Sequence, residues 1–242
     1  MAKKWYQASL IKIQEESPTT KRFWLEIEKA EMPFSFRAGQ FITMDLPIGE
    51  TRLDRWRSYS IANAPDDSNI LELCIVKLEG GRASKYFFED IKVGQNFRFK
   101  GPGGVFTLPK TLENDLVFIC TGTGVAPFRS MILDLINKEG KLPNIHLIFG
   151  TRKTEGILYR QELEALTERY SNFKYSIALS REEVADTYHG YVHQIYKKGY
   201  ADNHKKHTFY LCGWSNMVDE ATDILIKKMK VDERRVVTEL YG

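Results

Sequence analysis

The sequence predicts an antiparallel β-barrel followed by a doubly wound, parallel α/β sheet, and three observations carry that prediction. Short segments of alternating polarity fill the first half of the 242-residue chain. Compact apolar runs alternate with helical patterns in the second half. Between them, the texture changes over residues 109–114. A run of short strands needs a barrel or sandwich to bury one face, whereas strand–helix alternation needs a parallel sheet covered on both sides. The expected division is therefore a barrel over residues 1–110 and an α/β domain over 111–242.

In the first half, alternation over residues 6–13, 22–27, 41–46 and 70–76 fits half-buried strands. Turn chemistry punctuates them at Ser17-Pro18, Arg37-Ala38-Gly39, Pro47-Ile48-Gly49 and Pro65-Asp66-Asp67. Arg57-Ser58-Tyr59-Ser60 falls where a further strand is needed, with Arg57 and Tyr59 on one face and Ser58 and Ser60 on the other. A helix is expected from about Ala83, carrying Tyr86, Phe87 and Phe88. In the second half, buried strands are expected at 116–120, 146–149, 175–179, 209–212 and 236–240. Helices are expected over 127–137, 160–169 and 216–230, with another after Val192.

Composition removes several classes of function. Thirty-five basic residues against 32 acidic ones leave a formal charge of +3, so no bulk field points to nucleic acid. Arg52, Arg55 and Arg57 nevertheless gather in one short stretch, with Arg37 upstream. The three cysteines, Cys74, Cys120 and Cys212, form no CxxC pair, which argues against a zinc site or a cysteine-ligated cluster; no metal is expected. An odd cysteine count without an apolar targeting core suits a reducing compartment, and a cytoplasmic location is expected. No apolar run reaches the roughly 20 residues that cross a bilayer.

Two glycine-rich turns suggest phosphate sites. The apolar run 116–120 leads into Thr121-Gly122-Thr123-Gly124-Val125-Ala126-Pro127. A strand that ends in glycines and opens a helix aims backbone N–H groups and the helix dipole at an anion. Gly122, Thr123 and Gly124 are the candidate contacts. Gly80-Gly81-Arg82-Ala83-Ser84 is a second such entry to a helix; its plainer reading is a hairpin turn followed by an N-capping serine. Near it in function, Arg57 could pair with a phosphate, Tyr59 stack on an aromatic ring, and Ser60 hydrogen-bond a ring nitrogen.

Further segments complete an ordered series. They are Leu73-Cys74-Ile75-Val76-Lys77, Lys100-Gly101-Pro102-Gly103-Gly104, Ile157-Leu158-Tyr159-Arg160, Ala178-Leu179-Ser180-Arg181-Glu182, Tyr210-Leu211-Cys212-Gly213 and Glu239-Leu240-Tyr241. From residue 57 to the end, their order and spacing resemble the ferredoxin–NADP reductase family, its plant-type branch in particular. The first 50 residues match only as the start of a barrel.

That resemblance implies FAD as cofactor, with FMN the lesser expectation, and NADPH rather than NADH as coenzyme. It assigns flavin binding to Arg57, Tyr59 and Ser60, to Cys74, Ile75, Val76 and Lys77 along the sugar-alcohol chain, and to Gly81, Arg82, Ala83 and Ser84 at the pyrophosphate. Thr123 and Cys212-Gly213 would lie at the nicotinamide, Ser180 and Arg181 at a 2′-phosphate, and Tyr191 at adenine. Where the plant enzymes carry a lysine in that region, this chain has His189 or a neighbour. Ser60, Cys212, Glu239 and Tyr241 are the implied catalytic group, Tyr241 stacking on the flavin as a gate. The longer adenine-side hairpin of the plant enzymes is missing between Lys77 and Gly80, and Gly242 follows the terminal aromatic.

The implied reaction passes a hydride between nicotinamide C4 and flavin N5, with single electrons exchanged with ferredoxin or flavodoxin by a monomeric enzyme. The alternatives are an NAD(P)H reductase serving an oxygenase component and a non-enzymatic nucleotide-binding module.

Overall fold

The computed structural model describes residues 4–29, 34–138 and 142–241; Gly242 lies outside them. Two compact units form. One takes the chain as far as Leu108 together with Ala126–Lys138, and the other takes Pro109–Val125 and the chain after Lys138.

The first unit contains strands β1 (Trp5–Ser17), β2 (Thr20–Ile27), β3 (Phe41–Asp45), β4 (Trp56–Ser60), β5 (Ile70–Val76) and β6 (Asn96–Gly103). A one-turn helix α1 (Arg52–Arg55) precedes β4, and α2 (Arg82–Lys85) runs on as a wider turn over Tyr86–Asp90. The antiparallel order β4-β3-β6-β1-β2-β5 leaves β4 and β5 as the two ends. They meet through a single bridge, Ile61 to Leu73, backed by the bond from Ala62 N–H to the Glu72 carbonyl at 2.8 Å. Strand alternation sends Phe23, Leu25, Ile42, Met44, Leu73, Phe97 and Phe99 inward to one apolar core, each at most 3% exposed.

Among the described residues of this unit, two carboxylates are buried, Asp45 and Glu72. Glu72 is 3% exposed, accepts from Arg22 Nε at 2.6 Å and pairs with Arg129 at 3.1 Å. Arg129 also donates to the Ala62 carbonyl at 2.8 Å, and Ser130 donates to the Asn63 carbonyl at 2.6 Å. Both residues belong to α3 (Val125–Asn137). A buried charge is tolerated only when it is paired in this way, so removing either arginine leaves Glu72 costly.

The second unit holds a parallel sheet. Its strands are β7 (Asp115–Thr121), β8 (Ile145–Thr151), β9 (Phe173–Leu179), β10 (Tyr188–His189), β11 (His207–Trp214) and β12 (Val236–Tyr241), in the order β10-β9-β8-β7-β11-β12. All its pairings are parallel. Helices α4 (Arg160–Arg169), α5 (Val192–Gly199) and α6 (Ser215–Asp223, extended by a wide turn to Lys228) supply the connections. Central strands β7 and β8 are almost wholly buried, which is why they read as continuous apolar runs.

Fold class and element types follow the sequence expectation. Among the described strands and α-helices, three were not expected: α1, β6 and the two-residue β10. The expected helix over 216–230 instead changes to a wider turn at Ile224 and ends at Lys228. No helix among the described residues is long and apolar enough to cross a membrane.

Candidate functional site

In the first unit, the residues singled out from sequence surround the gap where β4 and β5 part beyond the Ile61–Leu73 bridge. An end strand of a sheet points alternate N–H and C=O groups away from its neighbour. Along Trp56–Ser60 the ladder of β4 is with β3, and along Ile70–Val76 the ladder of β5 is with β2. Ile75 and Val76 lie on the edge of β5 away from β2, as Arg57 to Tyr59 lie on the edge of β4 away from β3. Polar edges of this kind suit a sugar-alcohol chain and the rim of a ring system.

The register sets the directions of the side chains. Arg57 lies opposite Met44, and Tyr59 opposite Ile42, on the core side of β4. Tyr59 is half-buried, with its ring edge-on to Phe87 at 5.4 Å. Burial pushes its phenol above the ordinary range, against the opposing pull of Arg57. Arg57 Nη1 donates to the carbonyls of Leu53 at 2.9 Å and Trp56 at 2.8 Å, which fixes the guanidinium. Ser58 is exposed and shares a hydrogen bond with Thr43 at 3.0 Å, whereas Ser60 is 5% exposed.

Gly81 is the residue before α2, and Ser84 lies inside it. Ser84 Oγ accepts from the Leu78 N–H at 2.8 Å, so Ser84 ties the turn shut rather than capping a helix start. Arg82 forms an ion pair with Asp54, whose carboxyl falls to about 2 through hydrogen bonds from Thr51 and Arg82. Lys77 turns toward Glu89 at 3.4 Å, leaving only its backbone for the role expected of it.

In the second unit, β7 ends at Thr121 and enters a tight turn over Gly122–Gly124. Two glycines here are required. A Cβ at Gly124 would stand 2.3 Å from the Cys212 carbonyl oxygen. Gly213 has φ +153°, and a Cβ there would stand 2.4 Å from Thr121 Oγ1. The ends of β7 and β11 thus come together with no side chain between them. Thr121 Oγ1, beside Gly213, is buried with no hydrogen-bond partner among the described residues. A buried hydroxyl left unpaired calls for a ligand or water, and this one fits a dinucleotide at the C-terminal ends of the strands.

Next to it, Cys120, Cys212 and Glu239 form one row across β7, β11 and β12. Both thiols are fully buried. Burial drives the Cys212 thiol well above its usual range and the Glu239 carboxylate adds to that, while a hydrogen bond from Tyr241 opposes it. Glu239 and Tyr241 are half-exposed.

Ser180 and Arg181 follow β9. Their N–H groups donate to the carbonyls of Thr151 at 3.0 Å and Arg152 at 2.9 Å, so an exposed Arg152 stands beside an exposed Arg181. Glu182, adjacent in the chain, is pulled below the usual carboxylate range by hydrogen bonds from Thr154. Tyr191 is 67% exposed and His189 lies on β10. Thr121 and Arg152 are the site candidates that sequence reading passed over. The signal for Thr121 was its place as the last strand residue before the glycines; nothing in sequence pairs Arg152 with Arg181. Among the described residues, no cluster of His, Cys, Asp or Glu could hold a metal ion.

Comparison with known proteins agrees with both units. Residues 7–108 match the oxidoreductase FAD-binding domain, and residues 118–223 match the oxidoreductase NAD-binding domain. A ferredoxin–NADP reductase B of Sorangium cellulosum is 33% identical over 246 aligned residues, spanning 98% of this chain and 97% of that one. The phenol hydroxylase P5 protein of Acinetobacter pittii is 34% identical over 98% of this chain, which spans only 65% of that protein. Among solved structures, a cytochrome P450 reductase of Amycolatopsis superposes with a TM-score of 0.86 at 23% identity, covering 98% of this chain and 69% of that one. A ferredoxin NADP+ reductase from Neisseria gonorrhoeae with bound FAD and NADP gives 0.81 at 22%, covering 98% of each.

Proposed function

The chain belongs to the ferredoxin–NADP reductase family of flavin-dependent oxidoreductases, and from that premise we propose that it moves electrons between NADP(H) and a one-electron protein carrier, ferredoxin or flavodoxin. The proposal includes a flavin-binding domain over residues 1–110 and a coenzyme-binding domain over 111–242. When bound, FAD supplies the conversion between a hydride and two single electrons. The chain's own residues do the rest.

Arg57, Tyr59 and Ser60 on β4 would hold the flavin ring and phosphate, and Cys74 to Lys77 its sugar-alcohol chain through backbone. Gly81 to Ser84 would receive the pyrophosphate; Arg82 can reach it only by leaving or sharing Asp54. Gly122, Thr123, Gly124 and Gly213 would admit the coenzyme's phosphates and nicotinamide, and Thr121 would donate its idle hydroxyl to them. Cys212 would flank the nicotinamide as a neutral thiol. Glu239 would relay protons beside it or orient its neighbours, and Tyr241 would occupy the ring-stacking position until coenzyme displaces it. Ser180 and Arg181 would take the 2′-phosphate and Tyr191 the adenine.

The observation that supports this reading most is the orphaned Thr121 hydroxyl at strand ends cleared by Gly124 and Gly213. A second reading, an oxygenase's reductase component, draws on the phenol hydroxylase P5 protein and on an anthranilate 1,2-dioxygenase electron transfer component, 30% identical and 64% spanned. Turnover with a panel of ferredoxins, flavodoxins and oxygenase components, using NADPH and NADH in turn, decides between them. Fast reduction of a ferredoxin or flavodoxin supports the first. Reduction confined to oxygenase components, or to small dyes, overturns it.

A further inference from the structure

The two edges of the parallel sheet are built differently. At one end β10 has two residues, so little strand is left open. At the other, β12 runs six residues from Val236 to Tyr241, contains no proline, and keeps its ladder with β11 without a register shift. Among the described residues no strand pairs with its outer edge. Short edge strands, prolines and bulges guard a sheet against a second chain adding to it, and β12 carries none of these. Alternation puts Val236, Thr238 and Leu240 on one side of the strand. On that side a groove of about 640 Å³ opens between β12 and α6, with Val218, Asp219, Thr222, Asp223, Thr238 and Leu240 in its lining. Leu240 is 55% exposed.

Charge divides along this edge. Trp214 lies opposite Tyr241 in the β11–β12 ladder and α6 starts at the next residue, so the helix begins at the Tyr241 end. Over Ser215–Asp223 it carries three carboxylates, Asp219, Glu220 and Asp223, and no lysine or arginine. The chain then returns along the sheet, as a parallel connection must. On reaching β12 it carries five cations, Lys227, Lys228, Lys230, Arg234 and Arg235, against two carboxylates, Asp232 and Glu233. These residues give the Tyr241 end an excess of three negative charges and the Val236 end an excess of three positive ones. Asp223 meets Lys227 at 2.8 Å and Asp232 meets Arg234 at 2.6 Å, whereas Asp219, Lys228 and Lys230 have no ion pair among the described residues.

We infer that this edge is the interface of a homodimer, with β12 of a second copy adding antiparallel to β12 of the first. Side-chain direction and charge select the register. Residues opposite each other in an antiparallel ladder point to the same side, so the two-fold axis passes through a pair of equivalent residues and not between them. Centred on Thr238, the ladder sets Thr238 against its own copy, Val236 against the second Leu240, and Val237 against the second Glu239, so Val236–Leu240 is paired throughout. Centred on Glu239, it would bring two carboxylates face to face. The same axis lays the acidic end of each copy beside the basic end of the other, twice over, and turns the two grooves toward each other. Pairing also gives β12, the strand that carries Glu239 and Tyr241, a ladder on both edges. The inference does not depend on the electron carrier that the protein serves, and it departs from the monomer that the family resemblance implies.

The test is a charge swap, read by sedimentation velocity across the micromolar range at low and high salt. Wild type should dimerise as its concentration rises, with an affinity at least about tenfold weaker in high salt. Asp219→Lys/Asp223→Lys makes the acidic end basic, and Lys228→Glu/Lys230→Glu makes the basic end acidic, so each variant alone should be monomeric. Mixed in equal amounts, the two should form a heterodimer of about wild-type affinity, because both ends again meet opposite charge. None of the four residues has a role in flavin or coenzyme binding, and circular dichroism with an unchanged thermal midpoint shows that the variants fold. If a reversed pair fails to fold, Asp219→Asn/Asp223→Asn and Lys228→Gln/Lys230→Gln take its place, each expected to weaken the dimer about tenfold; undiminished affinity in both overturns the inference. A wild type that stays monomeric throughout overturns it as well, whatever strand of another protein the edge captures. So does a dimer that neither reversed variant weakens, or two monomeric variants that mixing does not rescue, since the contact would then lie on another surface.

Discussion

Cys212 and Glu239 stand opposite each other on adjacent parallel strands, and Cys120 completes the row on the other side of Cys212. Low dielectric and a neighbouring carboxylate both disfavour a thiolate, so Cys212 stays protonated through the neutral range. Burial has the same effect on Cys120. Titration of the native protein at pH 7.5 with a thiol-specific disulfide reagent should leave Cys120 and Cys212 unmodified, located by peptide mass analysis. Both should react once the chain is unfolded. Rapid native labelling of Cys212 would mean that its surroundings are open and polar, and its proposed place as a neutral thiol would fail.

Arg57 is held by the Leu53 and Trp56 carbonyls, and no ion pair ties its charge to a carboxylate among the described residues. Arg57→Ala should weaken flavin retention roughly ten- to hundredfold, the range expected when a charge-assisted hydrogen bond worth about 1.5–3 kcal/mol is lost. Flavin released during gel filtration measures it. Arg57→Lys should recover part of the loss, since it restores the charge without the fork. Full flavin occupancy in the alanine variant would remove Arg57 from the site.

Coenzyme choice is tested at Arg181. If it meets a 2′-phosphate, Arg181→Ala should raise KM for NADPH about tenfold or more while leaving KM for NADH nearly unchanged. Arg152→Ala should act in the same direction, because the bond from Arg181 N–H to the Arg152 carbonyl keeps the two arginines together. Equal effects on both coenzymes would show that neither arginine reads the phosphate.

The two-part architecture was legible because each half repeats one period: alternation in the barrel, and apolar runs separated by helices in the parallel sheet. The missed elements lack such a signal. Strand β6 runs into Gly101-Pro102-Gly103-Gly104, which reads as a turn, and β10 has two residues and no periodicity. Long-range partnerships were equally hidden. Nothing in the run around Glu72 announces Arg22 and Arg129, and Asp45 meets Arg98 from 53 positions away. The glycine turns exposed the candidate phosphate sites, yet the orphaned hydroxyl of Thr121 emerges only when Gly213 is brought against it.

Acid should destabilise the protein through His146. Its Nδ1 faces the Tyr200 hydroxyl at 2.7 Å and its Nε2 the Ser176 hydroxyl at 2.9 Å. Burial lowers its pKa from 6.5 to about 3, with Lys174 and His207 adding to the effect. The folded state therefore binds fewer protons than the unfolded one between those values, so stability falls as pH drops below about 6.5. One such group contributes a slope of up to about 1.4 kcal/mol per pH unit. Chemical denaturation of wild type and His146→Gln between pH 7 and 4.5 checks this. The variant should start less stable and lose less on acidification; parallel curves would clear His146 of the effect.

The most direct test of the central claim follows the flavin by absorbance under anaerobic conditions. The purified protein should carry an FAD that heat denaturation releases and chromatography identifies. One equivalent of NADPH should bleach its long-wavelength band, and two equivalents of an oxidised one-electron ferredoxin should restore it. A protein that binds no flavin when FAD is supplied, or a bound flavin that neither NADPH nor NADH bleaches, would contradict the account.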